Sequence, residues 1–289
     1  MSHELQTLNS IEAANILGVN VSTIKRWTEE GKLECIKTAG GHRKFLMSHL
    51  AAFLEQNKKK TSRANLVPLE SEIDLLLNYH IMKGNFDYLV NFVREQALAG
   101  NRERVQQVLN GLYLGQYPLH VIYDQLLTPA LHQIGDLWAE EKISVIEEHF
   151  ASQAIRDSLI RLQGIIRIPT EKIGAALCLN FSSELHDIAL KMVDHVLEAR
   201  GFRVLFSGQI TPPLNIEQVF AAYHPERVYI SSTRVENPPA TQEEFDRICQ
   251  LSAEHHARVF VGGNGFRALE IKNPALATVL HSFEEVFLS

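Results

Sequence analysis

The pattern Glu184-Leu185-His186 puts a carboxylate two residues before an imidazole. Such a carboxylate can accept one ring N–H, fix the tautomer and raise the basicity of the other nitrogen, which prepares a histidine to ligate a metal. Further on, Ser231-Ser232-Thr233 offers hydroxyls and Gly262-Gly263 offers bare backbone that a bound group can approach closely. Earlier in the chain, Trp138 is followed ten and eleven positions later by Glu148 and His149. Near the N-terminus stand Ser22, Thr23, Lys25 and Arg26, and then His42-Arg43-Lys44 directly after Gly40-Gly41. Hydroxyl and basic side chains of this kind contact phosphates and base edges of DNA. The sequence shows no Gly-rich phosphate loop, no activated nucleophile with base and orienter, and no supported carboxylate pair, so it reads as a non-enzyme.

Three blocks must position these residues. The first, 1–57, is read as two short helices, a basic hairpin and a third helix. Ser10 is expected to cap the first helix and Gly18 to stop it. Val21–Gly31 reads as the second helix, with Ile24 and Trp27 inward and Ser22, Thr23, Lys25 and Arg26 outward near its start, as a recognition helix presents donors to a major groove. Leu33–Phe45 reads as a wing with Ala39-Gly40-Gly41 at its tip, and Arg43 and Lys44 are expected to grip phosphates. Ser48 is expected to cap a helix over Leu50–Gln56. A charged linker at 58–69 includes Lys58-Lys59-Lys60.

The second block, 70–168, carries apolar residues at three- and four-residue steps and reads as a bundle of four or five helices. Ser144-Val145-Ile146-Glu147 is a capping box, so Trp138 should end one helix and Glu148 and His149 should lie in the first turn of the next. The third block, 170–289, alternates β-prone runs with helices. Strands are expected at Ala175–Asn180, Arg203–Ser207, Arg227–Ser231, Arg258–Val261 and Ala277–His281. Helices are expected at Leu185–Arg200, Ile216–Tyr223, Gln242–His255 and Gly265–Ile271. That alternation implies a doubly wound α/β parallel sheet of Rossmann-like type, with ligands beyond the carboxyl ends of its strands.

Composition supports this division. The chain has 289 residues and a net charge of −6, yet residues 1–63 hold ten Lys and Arg against six acids. A basic head on an acidic body points to a polyanion at the head alone. The three cysteines, Cys35, Cys178 and Cys249, lie far apart, which argues against a disulfide framework. With Met1–Asn9 lacking a signal pattern, this suits the cytoplasm, and no apolar run is long enough to span a membrane.

Leu8–Phe53 resembles the winged helix-turn-helix of MerR-type regulators, notably in Thr23-Ile24-Lys25-Arg26-Trp27 and Gly40-Gly41-His42-Arg43-Lys44-Phe45. Glu184-Leu185-His186-Asp187-Ile188-Ala189, with Ser231-x-Thr233 and Gly262-Gly263 at strand ends, resembles the Asp-x-His-x-x-Gly, Ser-x-Leu and Gly-Gly signature of methionine-synthase-type cobalamin domains. The trio Trp138, Glu148 and His149 resembles the Trp-x9-Glu-His signature of the CarH/LitR group of light-responsive cobalamin repressors, whose order of head, bundle and cobalamin domain this chain matches end to end. Departures are Glu184 for Asp, Ala189 for Gly, Thr233 for Leu, and Ala139 where photosensory members carry a histidine after the Trp.

The resemblance implies an adenosylcobalamin-binding repressor of double-stranded operator DNA, active as a dimer or tetramer. His186 would be the lower cobalt ligand. Ser231, Thr233, Gly262 and Gly263 would line a slot for the nucleotide tail, and the bundle would cap the upper face with Trp138, Glu148 and His149. Light would break the cobalt–carbon bond and dissolve the assembly. Ala139 and Ala189 favour an alternative, a regulator of this type that works without the cofactor, or with haem, a bilin or a protein partner. A corrinoid methyltransferase or mutase subunit would have no use for the head. A plain DNA-binding scaffold would show no ligand-dependent oligomer change.

Overall fold

The computed structural model describes residues 7–38, 40–46, 49–50, 53, 72–212, 215–272 and 276–289. The expected linker 58–69 and Ser48 lie outside the described residues, and of the third head helix Leu50 and Phe53 are described, as helical. Two compact units emerge. One holds the described residues up to Tyr117 together with Pro129–Ser158, and the other holds Pro118–Thr128 with Leu159–Ser289.

In the first unit, α1 (Ser10–Ile16) and α2 (Val21–Glu29) precede a hairpin of β1 (Ile36–Lys37) and β2 (Arg43–Lys44). The α1 cap is Asn9 rather than Ser10. Asn9 Oδ1 accepts the amides of Ile11 and Glu12 at 2.9 and 3.0 Å, and Glu12 Oε2 accepts the Asn9 amide at 2.8 Å. A capping box needs an acid three residues on, which Asn9 has in Glu12 and Ser10 lacks in Ala13. Gly18, at φ +65°, follows the helix. Leu8 exchanges both backbone hydrogen bonds with Phe45 at 2.8 Å, closing the hairpin onto the head. Leu8, Ala13, Ile16, Leu17, Ile24, Leu33 and Phe45 form the core, and Leu75 from α3 (Glu72–Lys83) joins it. In α4 (Phe86–Leu98) and α5 (Arg102–Leu114), Leu89, Val93, Val105, Val108, Leu109 and Leu112 are fully buried, as their spacing requires.

The chain continues as α6 (Leu119–Ile122), a π turn at Tyr123–Leu127, α7 (Thr128–Ala139) and α8 (Val145–Gln163). The capping box at Ser144 forms. Its amide donates to Glu147 Oε2 at 2.7 Å and its hydroxyl accepts the Glu147 amide at 3.3 Å. Trp138 therefore lies at the end of α7, and Glu148 and His149 in the first turns of α8.

The second unit is a five-stranded, wholly parallel sheet of β3 (Gly174–Asn180), β4 (Phe202–Phe206), β5 (Arg227–Ser231), β6 (Arg258–Gly262) and β7 (Ala277–Val279), in the order β4-β3-β5-β6-β7. Its helices are α9 (Ile188–Arg200), α10 (Ile216–Tyr223), α11 (Pro238–Glu254) and α12 (Phe283–Leu288). Leu177 and Leu179 join Phe220, Phe245 and Ile248 in one apolar cluster, while Ala176 and Cys178 alternate to the other face. Chain order reverses between β3 and β5, the switch point at which such sheets hold ligands.

Three helix expectations shift. The first helix starts at Ile188, not Leu185, because Glu184 Oε1 accepts the His186 amide at 2.8 Å and Asn180 Nδ2 donates to the His186 carbonyl at 3.0 Å, holding 184–187 as a turn. The run expected at Gln242–His255 begins earlier, with Pro238 in the first turn and Asn237 as its cap. Gly265–Ile271 is only a 3-10 turn over Asn264–Ala268, since the Gly265 amide is bound to the Ser232 carbonyl at 2.9 Å.

Pro118–Thr128 packs on α9 and α12. Asp124 accepts the amides of Phe283 and Glu284 at 2.8 and 3.0 Å, and the Tyr123 hydroxyl meets His195 Nδ1 at 2.9 Å. His195 is fully buried, and its Nε2 has no hydrogen-bond partner among the described residues. Burial drives its pKa down to about 3. The folded protein thus refuses a proton that the unfolded chain accepts below the ordinary value of about 6.5, so this residue costs stability as pH falls from there toward 3. His195→Gln should lessen the stability lost between pH 6.5 and 5 by about 1–2 kcal/mol, read from urea unfolding at the two pH values. An unchanged pH slope would contradict the burial argument.

Candidate functional site

At the carboxyl ends of β3 and β5, one buried carboxylate gathers two loops. Glu184 is 2 % exposed. Its Oε1 accepts Nδ1–H of His186 at 2.6 Å, and its Oε2 accepts the amides of Thr233 at 2.6 Å and Arg234 at 3.2 Å and the Ser232 hydroxyl at 3.2 Å. Burial pushes the Glu184 carboxyl up, but the hydrogen bonds from His186, Arg234 and Thr233 outweigh it and hold the pKa below the ordinary value. The carboxylate is therefore ionised, and it commits Nδ1 of His186 as the donor. The imidazole itself is 58 % exposed. A buried carboxylate bound to one nitrogen of an exposed imidazole is the arrangement that prepares a histidine as a metal ligand.

The other strand-end residues have unequal parts. Ser231 is the buried last residue of β5, in register with Asn180 and Gly262, whereas Thr233 is exposed. Ser232, between them, is fully buried. Its amide donates to the Gly262 carbonyl at 3.0 Å, and its carbonyl accepts from Gly265. A Cβ at Gly263, where φ is +100°, would run into the Ser232 carbonyl, and one at Gly265 into the Ser232 hydroxyl. Both glycines are thus required by the protein's own β5 and β6 loops. Ser232 and Gly265 were legible only as flanking residues of a motif.

In the first unit, Trp138 and His149 are exposed, and Glu148 lies 3.6 Å from His149 Nε2 while accepting the Ser152 hydroxyl at 2.6 Å. Ala139, the last residue of α7, carries no donor atom. In the head, Ser22, Lys25 and Arg26 stand outward on α2, and Thr23 is half-buried. His42 and Lys44 flank Arg43 on the second arm of the hairpin. Arg43 is 19 % exposed and reaches Glu29 of α2 at 2.8 Å. It ties the wing to the helix, while Lys25 and Arg26 stand exposed on α2, the latter 3.9 Å from Glu30.

Comparison with known proteins matches the head and the helical block that carries Trp138, Glu148 and His149. A helix-turn-helix domain model matches residues 7–58, and a B12 binding domain model matches residues 91–163. The chain is a helix-turn-helix DNA-binding regulator with a B12-binding domain, and its sequence likeness narrows this further. It is 25% identical, over 94% of its length and 94% of the relative's, to the HTH-type transcriptional repressor CarH of Myxococcus xanthus, a likeness that supports a regulator of that kind. The fold is also that of the Methanosarcina barkeri monomethylamine corrinoid protein, at 16% identity and a TM-score of 0.57 over 70% of this chain and 96% of that one. Among the described residues, no helix is long and apolar enough to cross a membrane.

Lys25→Ala or Arg26→Ala should alter base preference at one operator position by roughly 1–3 kcal/mol. Arg43→Ala should weaken binding to all sequences, and melting of the chain should fall with it because the Glu29 tie is lost. Electrophoretic mobility shifts on an operator and its single-base variants separate the two. A drop of about one unit in salt slope for Arg43→Ala marks it as a phosphate contact as well, and an unchanged slope would limit it to the Glu29 tie.

Proposed function

We propose that the chain is a cytoplasmic repressor that binds double-stranded operator DNA as a homo-oligomer, a dimer or a tetramer, and that adenosylcobalamin and light control this binding. The observation that carries the reading is the Glu184–His186 pair at the β3/β5 switch point. A single prepared imidazole suits a metal that brings its other ligands in a macrocycle. The B12-domain match and the likeness to a repressor support the same reading.

On this reading the domains are 1–57 for DNA, 58–69 as linker, 70–168 as the helical cap and 170–289 for the cofactor. His186 Nε2 is the lower cobalt ligand and Glu184 holds its tautomer. Ser231, Thr233, Gly262 and Gly263 border the path of the nucleotide tail. Trp138, Glu148 and His149 serve the upper side of the cofactor. When bound, adenosylcobalamin supplies a cobalt–carbon bond that light breaks. Ser22, Thr23, Lys25, Arg26, His42, Arg43 and Lys44 form the DNA face. Joining several heads raises their effective concentration on repeated half-sites, so oligomer state sets operator occupancy steeply.

His186→Ala should abolish the spectrum of histidine-ligated cobalamin while leaving far-UV circular dichroism unchanged. An unchanged spectrum would remove His186 from the site. Because Ala139 carries no donor atom, illumination of the loaded protein should give a cobalamin lost on gel filtration, and Ala139→His should make it persist with a bis-imidazole spectrum. A stable bis-histidine spectrum in the unaltered protein would contradict this.

A further inference from the structure

The loop after β4 contains an isoleucine in a conformation that β-branched residues avoid. Ile210 has φ +49°, in the left-handed region, where its branched side chain is strained. Such strain persists only where the surroundings over-determine it, and here they do. The Ile210 amide donates to the Glu184 carbonyl at 3.1 Å, Gln209 Nε2 to Asp187 Oδ1 at 3.4 Å, and the Thr211 hydroxyl to Ser207 Oγ at 2.7 Å. Two of these bonds lay the loop along the 184–187 turn that carries His186. Despite the strain, the side chain is not sheltered, being 50 % exposed, and Leu185, next to His186, is 58 % exposed. A glycine or asparagine would fit this backbone more easily, and neither would present an aliphatic surface.

We infer that Ile210 is a ring-contacting residue of the proposed cobalamin site, held in a strained backbone so that it and Leu185 present an aliphatic shelf beside His186 to the apolar underside of the corrin ring. This rests on the cobalamin reading above. The strain makes a distinctive demand, because stability and affinity must respond in opposite directions. In the full chain, Ile210→Gly should raise the melting temperature of the cofactor-free protein by about 2 °C or more. It should also weaken binding of added hydroxocobalamin, titrated by absorbance in the dark, about tenfold. Ile210→Asn should do the same, and Ile210→Leu, which keeps an aliphatic side chain without the β-branch, should bind within about threefold of the unaltered chain.

Unaltered affinity in Ile210→Gly and Ile210→Asn overturns the shelf and leaves the cobalamin reading standing. A lowered melting temperature in Ile210→Gly also overturns it, since the backbone would then not be strained by isoleucine. Failure of the unaltered chain to take up cobalamin overturns the reading itself and the shelf with it.

Discussion

The second unit is organised around a buried anion. Glu184 sits where β3 and β5 diverge and takes hydrogen bonds from four residues on two loops, His186 on one side and Ser232, Thr233 and Arg234 on the other. An ionised carboxylate is stable in such a place only when its lone pairs are filled, and the two loops fill them. The same bonds that settle the charge bring the loops together and hold the exposed His186 imidazole by Nδ1. Site geometry and loop structure are therefore one arrangement: removing the carboxylate unlinks the two loops, and removing either loop leaves a buried charge short of hydrogen bonds.

Backbone demands are concentrated around this anion. Gly263 and Gly265 let the loop after β6 lie against Ser232, and Ile210 accepts a left-handed conformation so that the loop after β4 can lie against Glu184. Three loops from β3, β4 and β5 are thereby fixed directly, and the β6 loop through Ser232. In the first unit, a comparable economy links Arg43 to Glu29, so that the wing and the recognition helix share a charge pair while Lys25 and Arg26 remain outward.

Much of this was legible in the residue pattern, for physical reasons. The apolar period distinguishes helices from strands, and strands buried on both faces leave uninterrupted β-prone runs, so the sheet and its order of elements followed from sequence. The capping box at Ser144 and Glu147 was readable because both partners are local. Non-local demands were not. The turn at 184–187 reads as helix unless Asn180 and Glu184 are known to bind it. Ser232 looks like a spacer between Ser231 and Thr233 until the Gly265 contact is seen. The pairing of Arg43 with Glu29, fourteen residues away, is not written in the wing's own residues.

The central claim is that the Glu184 carboxylate prepares His186 to hold a corrinoid. Equilibrium titration of the unaltered chain and Glu184→Gln with hydroxocobalamin, followed by absorbance, tests it most directly. Glutamine keeps the volume and can accept the imidazole N–H, but its amide nitrogen cannot accept the hydrogen bonds of Ser232, Thr233 and Arg234. The account requires affinity to fall roughly 10–100-fold. Equal affinity with an identical histidine-ligated spectrum would contradict it.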